Sequence, residues 1–390
     1  MVNFFIFLGV MFLLIFLLGR LFERIKIPWI FAALFLGVVL SAWNPFSEVT
    51  SSETFAFLAE LGMFFLLFII GFEIDLKKMR EKSGFLFKST FFIIFLEAFF
   101  GSILLNLFFG LDWLVCSIVA LSFATVGEAV LVPILDEFGI MNKPLGQTII
   151  DIGLLDDIIE ISLLLLIVVF IGTGTQSHIN ILIVLLSLFA LFFMTGLFMR
   201  LEKEGEKFRF LKIETIFLLV LFVFFFFLGI GELAQVAPLA AMLAGISMRT
   251  FIPEKRIALI ESEIKTMCYG FFAPIFFLHV GETINLGYIA AFPLLVLAVI
   301  AVSSGSKLLG SWIMTRKTLG SKQSILLGLG LSVRFSTSIV IIKILLDNGI
   351  IGLDLYSVIL ASSIVFTFAL PIIFSRLLIA WNIPQKKPAI

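Results

Sequence analysis

Runs of apolar residues long enough to cross a lipid bilayer recur along nearly the whole 390-residue chain, separated by short polar loops. A helix rises about 1.5 Å per residue, so a hydrocarbon core about 30 Å thick needs about 20 such residues. Only helices and closed barrels satisfy their backbone groups inside that core, and runs of this length and period read as helices. The composition agrees, with 61% apolar and 14% charged residues, where soluble domains carry about 25% charged. No basic block marks a nucleic-acid surface. Two cysteines in apolar runs, Cys116 and Cys268, suggest neither a disulfide framework nor a metal site.

Thirteen runs are read as spans: about 2–19, 28–43, 54–72, 85–109, 111–136, 145–172 and 179–199, then 214–231, 235–248, 268–285, 287–314, 323–346 and 355–381. The first lacks a basic start and a small-residue cleavage site, so it is expected to stay as a helix. Loops after odd-numbered spans hold the basic residues, among them Arg20, Arg24, Lys77, Lys78, Lys203, Lys207, Lys255 and Arg316. The loops 44–54, 172–180 and 348–354 contain none. This bias predicts an outside N-terminus and a cytoplasmic C-terminus.

The sixth run carries adjacent acids, Asp156 and Asp157, with Asp151 and Gln147 nearer its start. On a helix beginning after Pro144, Asp157 lies roughly 20 Å in, past the bilayer midplane. A charge there costs a few kcal/mol, so intramembrane carboxylates usually face protein or water and carry ions or protons. The bland alternative is one structural ion pair and one acid facing a polar crevice.

Few cations lie within spans: Lys307 in the eleventh, Arg334 and Lys343 in the twelfth. Lys307 sits among small residues, Ser303-Ser-Gly-Ser-Lys307, that permit close helix approach. Asp156 or Asp157 is its natural counter-charge; otherwise it snorkels to the inner interface. Glu97, midway along the fourth run, is a further acid, either paired with Arg334 or neutral and hydrogen bonded. A lone His279 in an aromatic run reads as structural.

Two runs are interrupted. Thr125, Gly127, Glu128 and Pro133 break the fifth; Gly328, Gly330, Ser332, Arg334, Ser336, Thr337 and Ser338 break the twelfth. Broken helices at corresponding places in two halves point to a transporter site, because freed backbone groups and half-helix dipoles bind ions. With the seventh span as linker, spans 1–6 match 8–13, an inverted repeat of six helices. The expected fold is therefore an all-α polytopic membrane protein of about thirteen transmembrane helices with two discontinuous crossing helices.

The stretch Leu58-Ala-Glu-Leu-Gly-Met-Phe-Phe-Leu-Leu-Phe-Ile-Ile-Gly-Phe-Glu-Ile-Asp75 resembles the third-span signature of the monovalent cation:proton antiporter-2 family. So do Ile27-Pro-Trp, Leu135-Asp-Glu-Phe-Gly139 and Gly270-Phe-Phe-Ala-Pro-Ile-Phe-Phe-Leu-His-Val-Gly281. The resemblance implies a homodimer. Its dimer domain would be 1–84 and 214–285, its ion-carrying core 85–172 and 286–390, with 173–213 a linker helix and cytoplasmic loop. The pair Asp156-Asp157 resembles the Nha/Nap-type sodium–proton antiporters; Kef-type potassium proteins usually carry Gln-Asp there and are the alternative, as K⁺/H⁺ antiporters.

Carried over, Asp157 is the cation ligand, Asp156 the partner of Lys307 and second Na⁺ ligand, and Thr125 a neighbouring oxygen. Two positions depart from the family. Gly127-Glu128 stands where Thr and Ser are usual, which brings Glu128 near the site. Arg334-Phe335-Ser336 replaces Arg-Gly-Glu. Asp151, Arg334 and Glu97 are accessory candidates. The resemblance implies electrogenic exchange of Na⁺ or Li⁺ for H⁺ in a bacterial or archaeal plasma membrane, with no cofactor. An intramembrane aspartyl protease is disfavoured, since its Gly-x-Gly-Asp context is absent.

Overall fold

A computed structural model of the chain describes residues 3–24, 27–74, 84–126, 135, 140, 141, 143–172, 181–201, 212–233, 236–334 and 336–381. All regular structure among them is helical. The first half holds α1 (Phe4–Arg24), α2 (Phe31–Ala42), the short α3 (Ser47–Thr50), α4 (Glu53–Glu73), α5 (Gly84–Phe109), α6 (Trp113–Ala124), α7 (Pro144–Gly172) and α8 (Ile181–Arg200). The second holds α9 (Ile213–Glu232), α10 (Ala237–Phe251), α11 (Glu254–Met267), α12 (Ala273–Glu282), α13 (Leu286–Ala291), α14 (Pro293–Thr315), α15 (Ser321–Leu331), α16 (Ser336–Asp347) and α17 (Leu353–Ala380). Several, such as Gly84–Phe109 and Leu353–Ala380, are long and apolar enough to cross a membrane.

One expected boundary moves. The tenth span, read as 268–285, is the second part of a helix that starts at Glu254. A π-helical turn, Cys268–Phe272, joins α11 to α12. The charged stretch before Cys268 scores as a loop by hydropathy, yet it is amphipathic: Ile260 and Ile264 are buried, four residues apart, while Lys255 and Glu263 are exposed. Pro253 precedes its first turn, and Glu254 lies where the positive helix end favours an acid.

The chain forms two compact units. The first comprises Met1–Phe12, Pro45–Lys77 and Leu164–His279. Its centre is the contact of α4 with α10, whose sequence is rich in Ala and Gly. A Cβ on Gly71 would overlap the Met242 carbonyl, and one on Gly245 the Phe68 carbonyl, so these backbones touch directly. Gly62 likewise leaves room for the carbonyl of Phe272 in the π-helical turn. Phe65 stacks between Phe224 and Phe272, with ring centroids 4.3 and 4.6 Å away. Lys265 bridges Glu73 at 2.6 Å and Glu261 at 2.7 Å, tying the end of α4 to α11. His279 packs edge-on against Phe55, which suits a structural role. We expect Gly245→Leu to destabilise the purified protein by about 1–3 kcal/mol or more, because the helices must separate to admit the side chain. Thermal unfolding in detergent checks this; an unchanged midpoint would mean that the close approach contributes nothing.

The second unit comprises Leu13–Asn44, Lys78–Leu163 and Val280–Ile390. Residues 13–44, which the sequence division groups with 1–84, pack here: Phe22 meets Phe35 and Phe368, and Gly19 sits against Trp29. Within this unit α5 packs on α6 and α14, and α14 on α15. Glycines again set the distances. Gly310 faces Ile93, Gly101 faces Phe123 and Ala120, and Gly328 faces the backbone at Lys307 and Leu308. The last contact presses α15 onto α14 where the buried lysine departs.

Candidate ion-binding site

Two helix ends meet in the second unit. Asp112 caps the start of α6 by accepting the Leu114 N–H, and α6 runs to Ala124 before Thr125 turns extended, at φ −68° and ψ 156°. The described residues stop at Val126 on this side, so Glu128 lies outside them. In the other segment, α15 ends at Leu331 and α16 begins at Ser336, with Ser332, Val333 and Arg334 between. Gly328 and Gly330 precede this break, and Ser332 Oγ donates back to the Gly328 carbonyl at 2.8 Å. The breaks are joined side by side: Thr125 Oγ1 and Ser338 Oγ share a hydrogen bond of 2.8 Å.

The backbone groups released by the breaks are taken up by buried charges. The Val126 N–H donates to Asp156 Oδ2 at 2.5 Å. Lys307 Nζ donates to the Leu331 carbonyl at 2.5 Å and lies 3.5 Å from the Thr125 carbonyl. Both carbonyls stand at helix C-termini, where the peptide dipoles are negative and favour a cation. Among the described residues Lys307 forms its ion pair with Glu97 of α5, 3.3 Å from Oε2. Asp156 makes none with it, although the sequence pairs these two. The lysine stem leaves α14 toward α5 and α15, and Asp156 is engaged by the Val126 amide, so the ammonium finds Glu97 first.

Glu97 gathers two hydrogen-bond donors and an ammonium. Arg334 Nη2 donates to its Oε1 at 2.8 Å, Ser303 Oγ donates to the same oxygen, and Lys307 faces Oε2. The Arg334 guanidinium also lies over the Phe123 ring, 5.1 Å from its centroid. Arg334 therefore connects the break between α15 and α16 to α5, and Thr367 Oγ1 lies 3.4 Å from its carbonyl. Glu97, Asp156 and Lys307 are at most 1% exposed and Arg334 4%, so each charge is removed from water and needs its partners. Three polar atoms of the group are buried without a hydrogen-bond partner among the described residues, Glu97 Oε2, Arg334 Nε and Asp156 Oδ1; Glu97 and Arg334 are ion-paired, and Asp156 has no ion pair among the described residues.

Asp157 occupies the next position of α7, with its side chain outside the described residues. Asp151 is half-buried earlier on α7, and Gln147 exposed. Lys343 pairs with Asp347 one turn further along α16. Sequence reasoning missed three contributors, Ser303, Ser338 and the Val126 amide. Ser303 had a signal, since it precedes Lys307 by one helical turn. Ser338 stood out only as one of the polar residues interrupting the twelfth run, and Val126 gave no signal, because its role comes from its backbone amide.

Comparison with known proteins places the chain by sequence and fold. The chain is 24% identical over 376 residues to the probable Na(+)/H(+) antiporter 3 of Methanocaldococcus jannaschii, covering 94% of this chain and 95% of the relative. It is also 24% identical over 366 residues to the Na(+)/H(+) antiporter of Enterococcus hirae, covering 90% and 92% of the two. The fold is similar to the solved structure of the sodium proton antiporter MjNhaP1 from Methanocaldococcus jannaschii at pH 8, with a TM-score of 0.65, 19% identity, and coverage of 97% of this chain and 96% of that one. The sequence profile of the transmembrane sodium/hydrogen exchangers matches residues 10–380, nearly the whole length, and the chain belongs to that family.

Proposed function

We propose that this chain is an antiporter that exchanges Na⁺ or Li⁺ for H⁺ across a bacterial or archaeal plasma membrane. The observation that carries the reading is the unpartnered, buried Oδ1 of Asp156, set beside two broken helices and next to Asp157. A carboxylate oxygen in that position needs a cation or a proton. Hard oxygens from Asp156, Asp157 and Thr125 suit a small monovalent cation, with Glu128 a further carboxylate close in sequence. Cation and proton exclude one another because both neutralise the same carboxylates.

We take both aspartates to be protonated in the cation-free state, and the charge balance follows from that. Glu97, Lys307 and Arg334 together leave one positive charge. With both aspartates ionised and one Na⁺ bound, the sum is zero; with both protonated and no Na⁺, it is plus one. Two protons therefore return for each cation and one net charge moves, so the membrane potential drives exchange at about 2.3 kcal/mol per 100 mV. Lys307 serves as a charge partner for Glu97 and as a cap on two helix ends, which keeps the break open for the cation. We place the N-terminus outside and the C-terminus in the cytoplasm, from the basic loops, and take the working form to be a homodimer.

The test is exchange in liposomes holding only the purified protein and an imposed pH gradient. Addition of Na⁺ or Li⁺ is expected to collapse the gradient. A response to K⁺ with none to Na⁺ or Li⁺ would replace the cargo, and no response to any would remove the antiport reading.

A further inference from the structure

Four residues one helical turn apart on α14, namely Ser303, Lys307, Ser311 and Thr315, form a single polar stripe, and none is more than 1% exposed. Polar stripes in a membrane helix are usually closed by each hydroxyl bonding back to the carbonyl four residues earlier. Ser306 does so with Val302, and Thr315 with Ser311. At the outer end of the stripe Ser303 donates to Glu97, and at the other end Thr315 donates to Ser324 of α15 at 2.8 Å. Ser311, between Lys307 and Thr315, breaks the rule: its Oγ is fully buried with no hydrogen-bond partner among the described residues. A buried hydroxyl without a partner is costly and calls for an occupant.

Water matches both the orphaned Ser311 hydroxyl and the spacing of the stripe. Successive stripe positions lie about 6 Å apart along the axis, the span of two hydrogen bonds of about 2.8 Å through one water. We propose that the stripe holds a file of water molecules leading from the end of α14 near Arg316 to the Lys307–Glu97 cluster, and that protons reach the buried charges along it. This rests on the antiport reading for its role in proton movement, though not for the presence of water. The path approaches along α14 and meets the helix ends only at Lys307, so cation and proton would enter by separate routes.

An isosteric pair tests the role. Ser311→Thr keeps the hydroxyl and Ser311→Val removes it at the same volume, so any packing penalty is common to both. In liposomes the valine variant is expected to exchange about tenfold more slowly than the threonine variant, with the same half-saturating Na⁺ concentration. Equal rates would overturn the proton role. Water is tested without transport, using Ser311→Cys in a chain whose Cys116 and Cys268 are replaced by alanine. Silver ion, close to water in size, is expected to block this thiol in the folded protein at least about tenfold faster than it blocks Cys268 in a chain where that is the sole cysteine. Equal rates would mean that the stripe is dry, and that result stands whether or not the protein exchanges Na⁺.

Discussion

Asp157→Asn is expected to abolish exchange while leaving a folded, monodisperse protein. The amide has nearly the shape of the carboxylate but cannot take up or release a proton, and it offers no charge to a cation. Asp157 follows Asp156 on α7, and the Oδ1 of Asp156 is buried with no hydrogen-bond partner among the described residues. A chain lacking it keeps Glu97, Asp156, Lys307 and Arg334, whose charges sum to zero, so the fold loses no counter-charge. What disappears is the negative site for which Na⁺ and H⁺ compete. The checks are Na⁺-driven proton movement in liposomes and thermal unfolding of the same preparation. Retained exchange would remove Asp157 as carrier; a collapse in unfolding temperature would make it structural.

Glu97→Gln should have the opposite signature, a large loss of stability. The substitution strands two cations, Lys307 and Arg334, in an interior from which water is excluded. Breaking a buried ion pair by removing one partner typically costs about 3–5 kcal/mol, since the remaining charge has no compensation. Here one acid serves two bases, so the upper part of that range is expected. Combining Glu97→Gln with Arg334→Gln removes one stranded charge and should recover part of the lost stability. Thermal unfolding of parent, single and double variants decides it. A single variant as stable as the parent, or a double variant no better than the single, would mean that Glu97 does not hold the cluster together.

Much of this site could be read from the chain, and the limits have physical causes. The end of α6 and the break between α15 and α16 were legible because the stretch from Thr125, and Gly328, Gly330 and Ser332, place weak helix formers and charges where apolar residues should continue. Glu97, Lys307 and Arg334 stood out because hydropathy marks any charge within an apolar run. The Glu97–Arg334 pair was one of two readings the chain offered, but the pairing of Lys307 with Glu97 was not legible. A lysine stem reaches in several directions, and the direction it takes depends on how closely α15 approaches α14, which Gly328 sets. The α11 extension was hidden because an amphipathic helix with two buried isoleucines has the mean polarity of a loop. The π-helical turn at Cys268–Phe272 carries no sequence signal of its own; it is visible only where Gly62 meets the Phe272 carbonyl.

Competition between sodium and protons for the aspartate pair is tested most directly by the apparent Na⁺ affinity of exchange at a series of pH values, in liposomes with the membrane potential held at zero. Competition requires that protons raise the half-saturating Na⁺ concentration. It should grow about tenfold for each unit of falling pH on the acidic limb if one proton is displaced, and more steeply if two are. The maximal rate at saturating Na⁺ should stay constant. A half-saturating concentration that does not change with pH, with only the maximal rate responding, would contradict a shared site and place the proton on groups other than Asp156 and Asp157.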